Sequence, residues 1–125
     1  MSLSQFRSKR KTTGGRYKKI AKKIRNQGNL PTLTTIGELR KTTIRARSGI
    51  IKERLLSTNI ANVYDPKTKK HFKCKLENVI DNPSNRNFIR RNILTKGSIV
   101  KTDKGKIKIT SRPGQEGTLN AILIP

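Results

Sequence analysis

The stretch that decides the fold reads Gly97-Ser98-Ile99-Val100-Lys101-Thr102-Asp103-Lys104-Gly105-Lys106-Ile107-Lys108-Ile109. Over its last four residues lysine and isoleucine alternate strictly, which is the period of a strand with one buried and one solvated face. Gly105 follows Asp103-Lys104 and supplies a residue that tolerates positive φ. The stretch therefore predicts a β-hairpin with a turn at 103–105.

A second alternating run precedes this hairpin and reads Lys70-His71-Phe72-Lys73-Cys74-Lys75-Leu76. Apolar side chains occupy every second position, so we predict a strand that reaches Val79, with Cys74 in the core and His71 facing outward. One cysteine excludes an intramolecular disulfide and fits a reducing compartment. One histidine and one cysteine three residues apart do not build a zinc site, and we expect no metal and no cofactor.

The remaining segments after Pro31 also have β character. Strands are predicted at 39–47, 50–56, 59–64 and 118–124, where the second and third are either separate or one long strand bent near Ser57. Turn residues occur at Ser48-Gly49 and at Asp65-Pro66-Lys67-Thr68, and a loop is expected at 112–117. With few helix signals, the sequence predicts a mainly β fold, a small antiparallel β-barrel of about six strands.

The first 30 residues differ in composition from the rest. Ser2–Asn29 contains no acid and carries ten basic residues: Arg7, Lys9, Arg10, Lys11, Arg16, Lys18, Lys19, Lys22, Lys23 and Arg25. Like charges repel and the few apolar residues cannot form a core, so we expect a basic, extended arm that orders against a polyanion. Gly28 and Pro31 break the pattern, which predicts an arm at 1–30 and a β-barrel domain at 31–125.

Two features within the arm are typical of phosphate contact. Gly14-Gly15 lets the backbone bend or approach a phosphate closely, although the sequence around it is no P-loop. Residues 17–25 have the pattern of two helical turns that would form on binding.

The charge of the whole chain indicates the class of partner. Thirty Lys and Arg stand against seven Asp and Glu among 125 residues, giving a net charge of +23. An anionic membrane is the competing partner, but no apolar run is long enough for a spanning helix and no signal peptide precedes the arm. Nucleic acid is therefore favoured over membrane.

Residues 78–96 combine arginine with amide side chains. Arg86, Arg90 and Arg91 lie among several asparagines, and arginine pairs with phosphates while asparagine reads base edges or ribose hydroxyls. The alternative is a solvated connection in which Phe88 and nearby isoleucines plug the barrel; we expect both to hold. The candidate RNA-binding residues are the ten basic residues of the arm with Gly14, Gly15 and Tyr17, and outside it Arg45, Arg47, Asn85, Arg86, Arg90, Arg91, Lys96 and Arg112.

Five ordered motifs carry a resemblance to a known family: Thr13-Gly14-Gly15-Arg16, Pro31-Thr32-Leu33, Asp81-Asn82-Pro83-Ser84-Asn85-Arg86, Phe88-Ile89-Arg90-Arg91-Asn92-Ile93 and Thr110-Ser111-Arg112-Pro113-Gly114-Gln115. Over nearly its whole length the chain resembles the archaeal/eukaryotic-type small-subunit ribosomal protein eight, without the long eukaryotic insertion, as in archaeal members. The resemblance implies a structural role in the cytoplasmic ribosome, with 16S-type rRNA and neighbouring small-subunit ribosomal proteins as partners. It implies no enzymatic activity and no small-molecule substrate.

Three other functions compete with this interpretation. A nuclease would need clustered carboxylates or an acid–base pair, yet only Glu77 and Asp81 are close in sequence and His71 has no evident partner. A ribosome-assembly factor could share the barrel domain, although such factors carry additional segments. A DNA-compacting protein would tolerate the same charge, but it would bind duplex DNA without preference.

Overall fold

The structure is a computed structural model that describes residues 3–4, 8–18 and 27–124, with the backbone alone at Arg47. In these ranges the strands are β1 (Leu3–Ser4), β2 (Gln27–Gly28), β3 (Thr34–Ile36), β4 (Arg40–Arg45), β5 (Ile51–Thr58), β6 (Ile60–Asp65), β7 (Lys70–Asp81), β8 (Ile93–Leu94), β9 (Ile99–Thr102), β10 (Gly105–Ile109) and β11 (Asn120–Leu123). Two short helices are α1 (Asn87–Arg90) and α2 (Pro113–Glu116). The chain divides into two compact units, Met1–Pro31 and Thr32–Pro125.

The second unit contains a closed barrel with the strand order β10-β11-β6-β7-β9. The predicted mainly β fold with a small barrel is confirmed. Five strands close it, because β4, β5, β3 and β8 form a separate four-stranded sheet in that order. Four neighbouring pairs of the barrel are antiparallel, whereas β11 pairs with β6 in parallel, with Ala121 opposite Val63.

Alternation along the strands fills the barrel interior. The buried cluster comprises Leu55, Ala61, Val63, Cys74, Leu76, Val79, Leu94, Val100, Ile107, Ile109, Leu119 and Ala121. Cys74 is 3% exposed, as the run around it predicts, and His71 is exposed. Each fully buried aliphatic side chain contributes roughly 1.5–3 kcal/mol relative to exposure, so this cluster is the main stabilising element of the unit.

Two turns between barrel strands are held by side chains. Between β9 and β10 the turn residues are Asp103-Lys104, and Gly105 begins β10 with φ +130. Between β6 and β7 the Asp65 carboxylate accepts bonds from the Lys67 amide (2.9 Å) and the Thr68 hydroxyl (2.8 Å). The bond from the Lys67 amide is the main reason why the pKa of Asp65 lies below its usual value, because it stabilises the charged carboxylate.

The two expected strands near Ser57 are separate rather than one bent strand. β5 ends at Thr58 and β6 begins at Ile60, so Asn59 alone connects them. The Thr58 hydroxyl accepts a hydrogen bond from the Ile60 amide (3.2 Å) and donates one to the Ile60 carbonyl (3.0 Å). This local ring of bonds turns the chain from the four-stranded sheet into the barrel.

The prediction of a plain loop at 112–117 is wrong, since residues 113–116 form α2. Pro113 is well suited to the first turn of a helix, where its missing amide is not needed. Gly117 ends the helix with φ +66, and a Cβ atom there would lie 2.7 Å from the Cβ of Glu53 on β5. Glycine is therefore required at 117 both for the left-handed backbone and for the close approach to β5.

Candidate nucleic-acid interface

The arginine-rich segment, residues 82–96, is fastened to the second unit by the buried side chain of Asn82, which is 3% exposed. Its amide nitrogen donates to the Ile93 carbonyl (3.2 Å). Its oxygen accepts from the Ser84 amide (3.1 Å) and from the Thr95 hydroxyl (2.9 Å). One side chain thus joins the beginning of the segment to its end.

A second asparagine fastens the same segment to the barrel wall. Asn92 follows α1 with φ +49, a left-handed conformation that asparagine tolerates better than most residues. Its side-chain oxygen accepts a hydrogen bond from the Val79 amide of β7 (3.2 Å). The pairing of β7 with β9 shifts register between Val79 and Asp81, so the bond lies at an irregular part of the ladder.

Between these two anchors the apolar and basic side chains are separated. Ile93 is fully buried, Phe88 and Ile89 are half-buried, and Ile89 packs against the core. The polar residues that the sequence selected here are all exposed: Asn85, Arg86, Arg90, Arg91 and Lys96. The structure therefore brings five candidate residues together on one fixed segment.

The chemistry of this segment suits phosphate recognition. Among the described residues, none of its arginines forms an ion pair with a carboxylate. Arg86 and Arg90 are four residues apart around α1, a spacing that places Cβ atoms about 6 Å from each other. Guanidinium groups present forked donors that match the two oxygens of a phosphate, so neighbouring arginines can engage adjacent phosphates of a folded backbone.

The asparagines of this segment have more than one role. The sequence alone assigned them to base or ribose contacts, but Asn82 and Asn92 spend their side chains on the fold itself. Asn85 is exposed, and its oxygen accepts a bond from the Asn87 amide (2.9 Å) at the start of α1. The Asn-Pro pair at 82–83 is the signal that could have identified the first anchor, because this pair favours capping and turns.

The other candidates of the second unit sit on separate elements. Arg45 ends β4 opposite Ile51 and is exposed. Arg47 opens a 3-10 helix at Arg47–Gly49, where Ser48 and Gly49 have positive φ as the predicted turn requires. Arg112 is exposed and precedes α2, with its amide donating to the Glu116 carboxylate (3.2 Å).

In the first unit, residues 8–18 form a tight hairpin without a core. The Gly14 amide donates to the Lys11 carbonyl (3.0 Å), and the Lys11 amide donates to the Gly15 carbonyl (2.8 Å). Arg10 and Arg16 face each other across this turn, and the Arg10 guanidinium donates to the Gly14 carbonyl (3.0 Å). Gly14 has φ +81, so the glycine pair makes the bend that the sequence indicated.

The hairpin exposes every candidate residue that it contains, namely Lys9, Arg10, Lys11, Gly14, Gly15, Arg16, Tyr17 and Lys18. The Lys11 ammonium lies 5.7 Å from the centre of the Tyr17 ring. Elsewhere in this unit, β1 pairs with β2, with Leu3 opposite Gly28. Arg7, Lys19, Lys22, Lys23 and Arg25 lie outside the described residues, as does most of the helix expected at 17–25.

Lysines on the outer barrel surface form a basic surface that the selection of candidates from the sequence left out. Lys73 and Lys75 on β7 and Lys106 and Lys108 on β10 are exposed, as the alternation of these strands predicts. The described residues contain two ion pairs, Lys41–Glu53 (3.2 Å) and Lys101–Glu77 (2.9 Å), with all four side chains well exposed. The remaining described cations are thus available to a polyanion.

The described residues show no other chemical centre. Within them, no group of three His, Cys, Asp or Glu side chains comes together. Burial raises the pKa of the Cys74 thiol, which keeps it protonated and unreactive. No helix in the described part of the chain is long and apolar enough to cross a membrane.

Comparison with known proteins gives a consistent result along the whole chain. The family model described as Ribosomal protein S8e matches residues 4–124. Small ribosomal subunit protein eS8 of Nanoarchaeum equitans is 50% identical over 121 residues, 96% of this chain and 95% of the relative. The proteins of that name from Halorubrum lacusprofundi (50% identity; 96% of this chain and 97% of the relative) and Methanococcus aeolicus (45%; 99% and 98%) are similarly close. The chain therefore belongs to the ribosomal protein S8e family.

Proposed function

We propose that this chain is a structural constituent of the small ribosomal subunit that binds and stabilises folded 16S-type rRNA. The basic arm, residues 1–30, supplies strong sequence-independent attraction, and the barrel domain, residues 31–125, supplies register through its arginine-rich face. The neighbouring proteins of the small subunit are its further partners. As a member of a ribosomal protein family, the chain acts in the cytoplasmic ribosome and is not an enzyme.

The observation that carries this proposal is the anchoring of the arginine-rich segment. A purely electrostatic binder has no need for fixed cations, because condensed counterions are released from RNA by any nearby positive charge. Here the two buried or half-buried anchors, Asn82 and Asn92, hold Arg86, Arg90 and Arg91 in place without using their guanidinium groups. Fixed donors select an arrangement of phosphates, and only folded RNA presents such an arrangement.

The experiment that tests the proposal compares two RNAs of equal length. An archaeal 16S rRNA transcript and an unrelated structured RNA are titrated with the wild-type chain and with the Arg90→Ala/Arg91→Ala variant. The variant should lose about tenfold in affinity for 16S rRNA and much less for the unrelated RNA, since each oriented contact is replaced only on the cognate fold.

A matched control is Lys52→Ala/Lys75→Ala, which removes the same charge from exposed strand positions. This control should weaken both RNAs alike and lower the steepness of the salt dependence by about two phosphate contacts. Equal losses on both RNAs for the arginine variant would refute the role of the arginine-rich face. Failure of the wild type to prefer 16S rRNA would refute the function as a whole.

A further inference from the structure

The outer surface of the barrel carries an aromatic pair that the arginine-rich face does not include. Tyr64 on β6 and His71 on β7 are direct cross-strand partners, so their side chains share one face of the sheet. Their ring centres are 4.8 Å apart with an angle of 36° between the ring planes. His71 is exposed and Tyr64 is half-buried, so the pair presents the imidazole ring to solvent on an aromatic support.

The surroundings of this pair follow from the strand register. Ile122 lies opposite Tyr64 on β11, and Lys108 lies opposite Ile122 on β10, which makes a row of Lys108, Ile122, Tyr64 and His71. Lys108, Ile122 and His71 are exposed, with Ile122 at 41%. The row thus combines an apolar and aromatic surface with a cation at one end.

The adjacent row supplies polar groups and a second cation. Asn120, Asn62 and Lys73 are aligned on β11, β6 and β7, and all three are exposed. The Asn62 amide nitrogen donates to the Asn120 side-chain oxygen (3.2 Å). Among the described hydrogen bonds, the Asn62 side-chain oxygen and the Asn120 side-chain nitrogen have no partner, so one acceptor and one donor point to solvent beside the rings.

This surface is distinct from the arginine-rich segment. Asn92 contacts β7 at Val79, eight residues from His71 on the same strand. At about 3.3 Å per residue, the two places are separated by about 26 Å along β7. A ligand group bound at His71 therefore does not compete with phosphates bound by Arg86, Arg90 and Arg91.

We propose that Tyr64 and His71 form a stacking platform for one unstacked RNA base, with Lys73 and Lys108 engaging the flanking phosphates. This inference rests on the proposed function and deepens it, because it names the kind of RNA element that the second contact takes. The combination of an exposed aromatic face, flanking lysines and an amide pair matches single-stranded RNA, whose splayed bases stack on aromatic rings and offer hydrogen-bonding edges. Duplex RNA keeps its bases stacked internally and cannot use the platform.

The first test separates stacking from charge at one position. In the full-length chain, His71→Lys adds a positive charge and removes the ring, whereas His71→Tyr keeps a ring. Binding of single-stranded oligoadenylate of twelve nucleotides should weaken about fivefold to 100-fold in His71→Lys and stay near wild type in His71→Tyr. Electrostatic attraction alone would make His71→Lys bind more tightly, and that result would overturn the platform. The position is exposed, so both variants should fold.

The second test uses the fact that His71 is the single histidine of the chain, which makes its ring-proton NMR signals unambiguous. Addition of the same oligoadenylate should shift these signals upfield, because the ring current of a stacked adenine shields them. Inorganic polyphosphate of similar charge provides phosphates without bases and should leave them nearly unchanged. Equal shifts with both ligands would overturn the platform.

Titration with 16S rRNA distinguishes failure of this inference from failure of the proposed function. If the wild type binds 16S rRNA selectively and His71→Lys binds it equally well or better, the platform is refuted and the structural role stands. If His71→Lys binds rRNA like the wild type but enters reconstituted small subunits poorly, the surface contacts a protein and the platform is likewise refuted. A wild type without preference for 16S rRNA refutes the proposed function, while the oligoadenylate tests still decide the platform.

Discussion

Two regions present cations in different ways. The arginine-rich segment is held by side chains that are themselves part of the interior, since Asn82 is 3% exposed and joins both ends of the segment. The hairpin at 8–18 is held by backbone bonds across a glycine turn, and all of its described residues are exposed. The comparison teaches that equal charges can serve different ends: fixed cations select a shape, and cations on a coreless turn add attraction.

The largest expected effect removes one side of this comparison. Replacing residues 2–25 by a Gly/Ser linker of equal length deletes ten cations. If each contacts a phosphate, the slope of log K against log salt should flatten by about 7 to 9, and affinity at moderate salt should fall by about three orders of magnitude. Filter binding at several salt concentrations measures both. An unchanged slope would contradict the role given to the arm, and an unchanged melting temperature would show that the barrel folds without it.

The next effect breaks the other side. Asn82→Ala removes three hydrogen bonds of a buried side chain and leaves the Ile93 carbonyl and the Ser84 amide without this partner. We expect a loss of about 3 kcal/mol in the free energy of unfolding, measured by urea denaturation. Asn85→Ala, an exposed asparagine nearby, is the control and should cost about 1 kcal/mol or less. Similar losses for both variants would show that burial of Asn82 does not fix the segment.

A smaller effect separates backbone conformation from hydrogen bonding at Asn92. Asn92→Gly loses the bond to the Val79 amide but accepts φ +49, and it should cost about 1 kcal/mol. Asn92→Ala loses the same bond and also strains the backbone, and it should cost about 2 kcal/mol. Equal unfolding free energies for the two variants would mean that the left-handed conformation is not retained.

The smallest effect concerns the barrel away from both regions. The pKa of Asp65 is lowered mainly by the bond from the Lys67 amide, so its carboxylate stabilises the turn above its usual pKa of 3.8. This stability is lost as the pH falls from there through the lowered value in the folded state. Between pH 5 and pH 2.5 the melting temperature of the wild type should therefore drop slightly more than that of Asp65→Asn. An identical drop would contradict the assignment.

Local patterns in the sequence predict much of the barrel but not its closure. The alternation around Cys74 and Ile107 places the correct side chains inside, because a two-residue period leaves no other choice of face. The parallel pairing of β11 with β6 joins residues 58 apart, such as Asn62 and Asn120, and no local pattern encodes so distant a partner. The helix α2 was missed because Pro113 and Gly117, which begin and end it, are also the residues of an ordinary loop.

The candidate site was predictable to a similar degree. The arginines stand out by density, and their exposure follows from the apolar residues beside them, such as Ile89 and Ile93. The separate roles of the asparagines were not predictable, because capping the backbone and reading a base use the same amide chemistry. The aromatic pair was missed since Tyr64 and His71 are seven residues apart and meet only through the strand register.

The parallel neighbour of β6 also sets the timetable of folding. During synthesis β6 is made well before β11, so the interior stays open until residues 120–123 have left the exit tunnel. A final pairing across so long a loop is slow compared with the formation of adjacent hairpins, since most of the loop entropy is lost before any contact is gained. The hairpin at 8–18, which depends on neighbours a few residues away, forms early, and the chain thus completes its most local element long before its barrel closes.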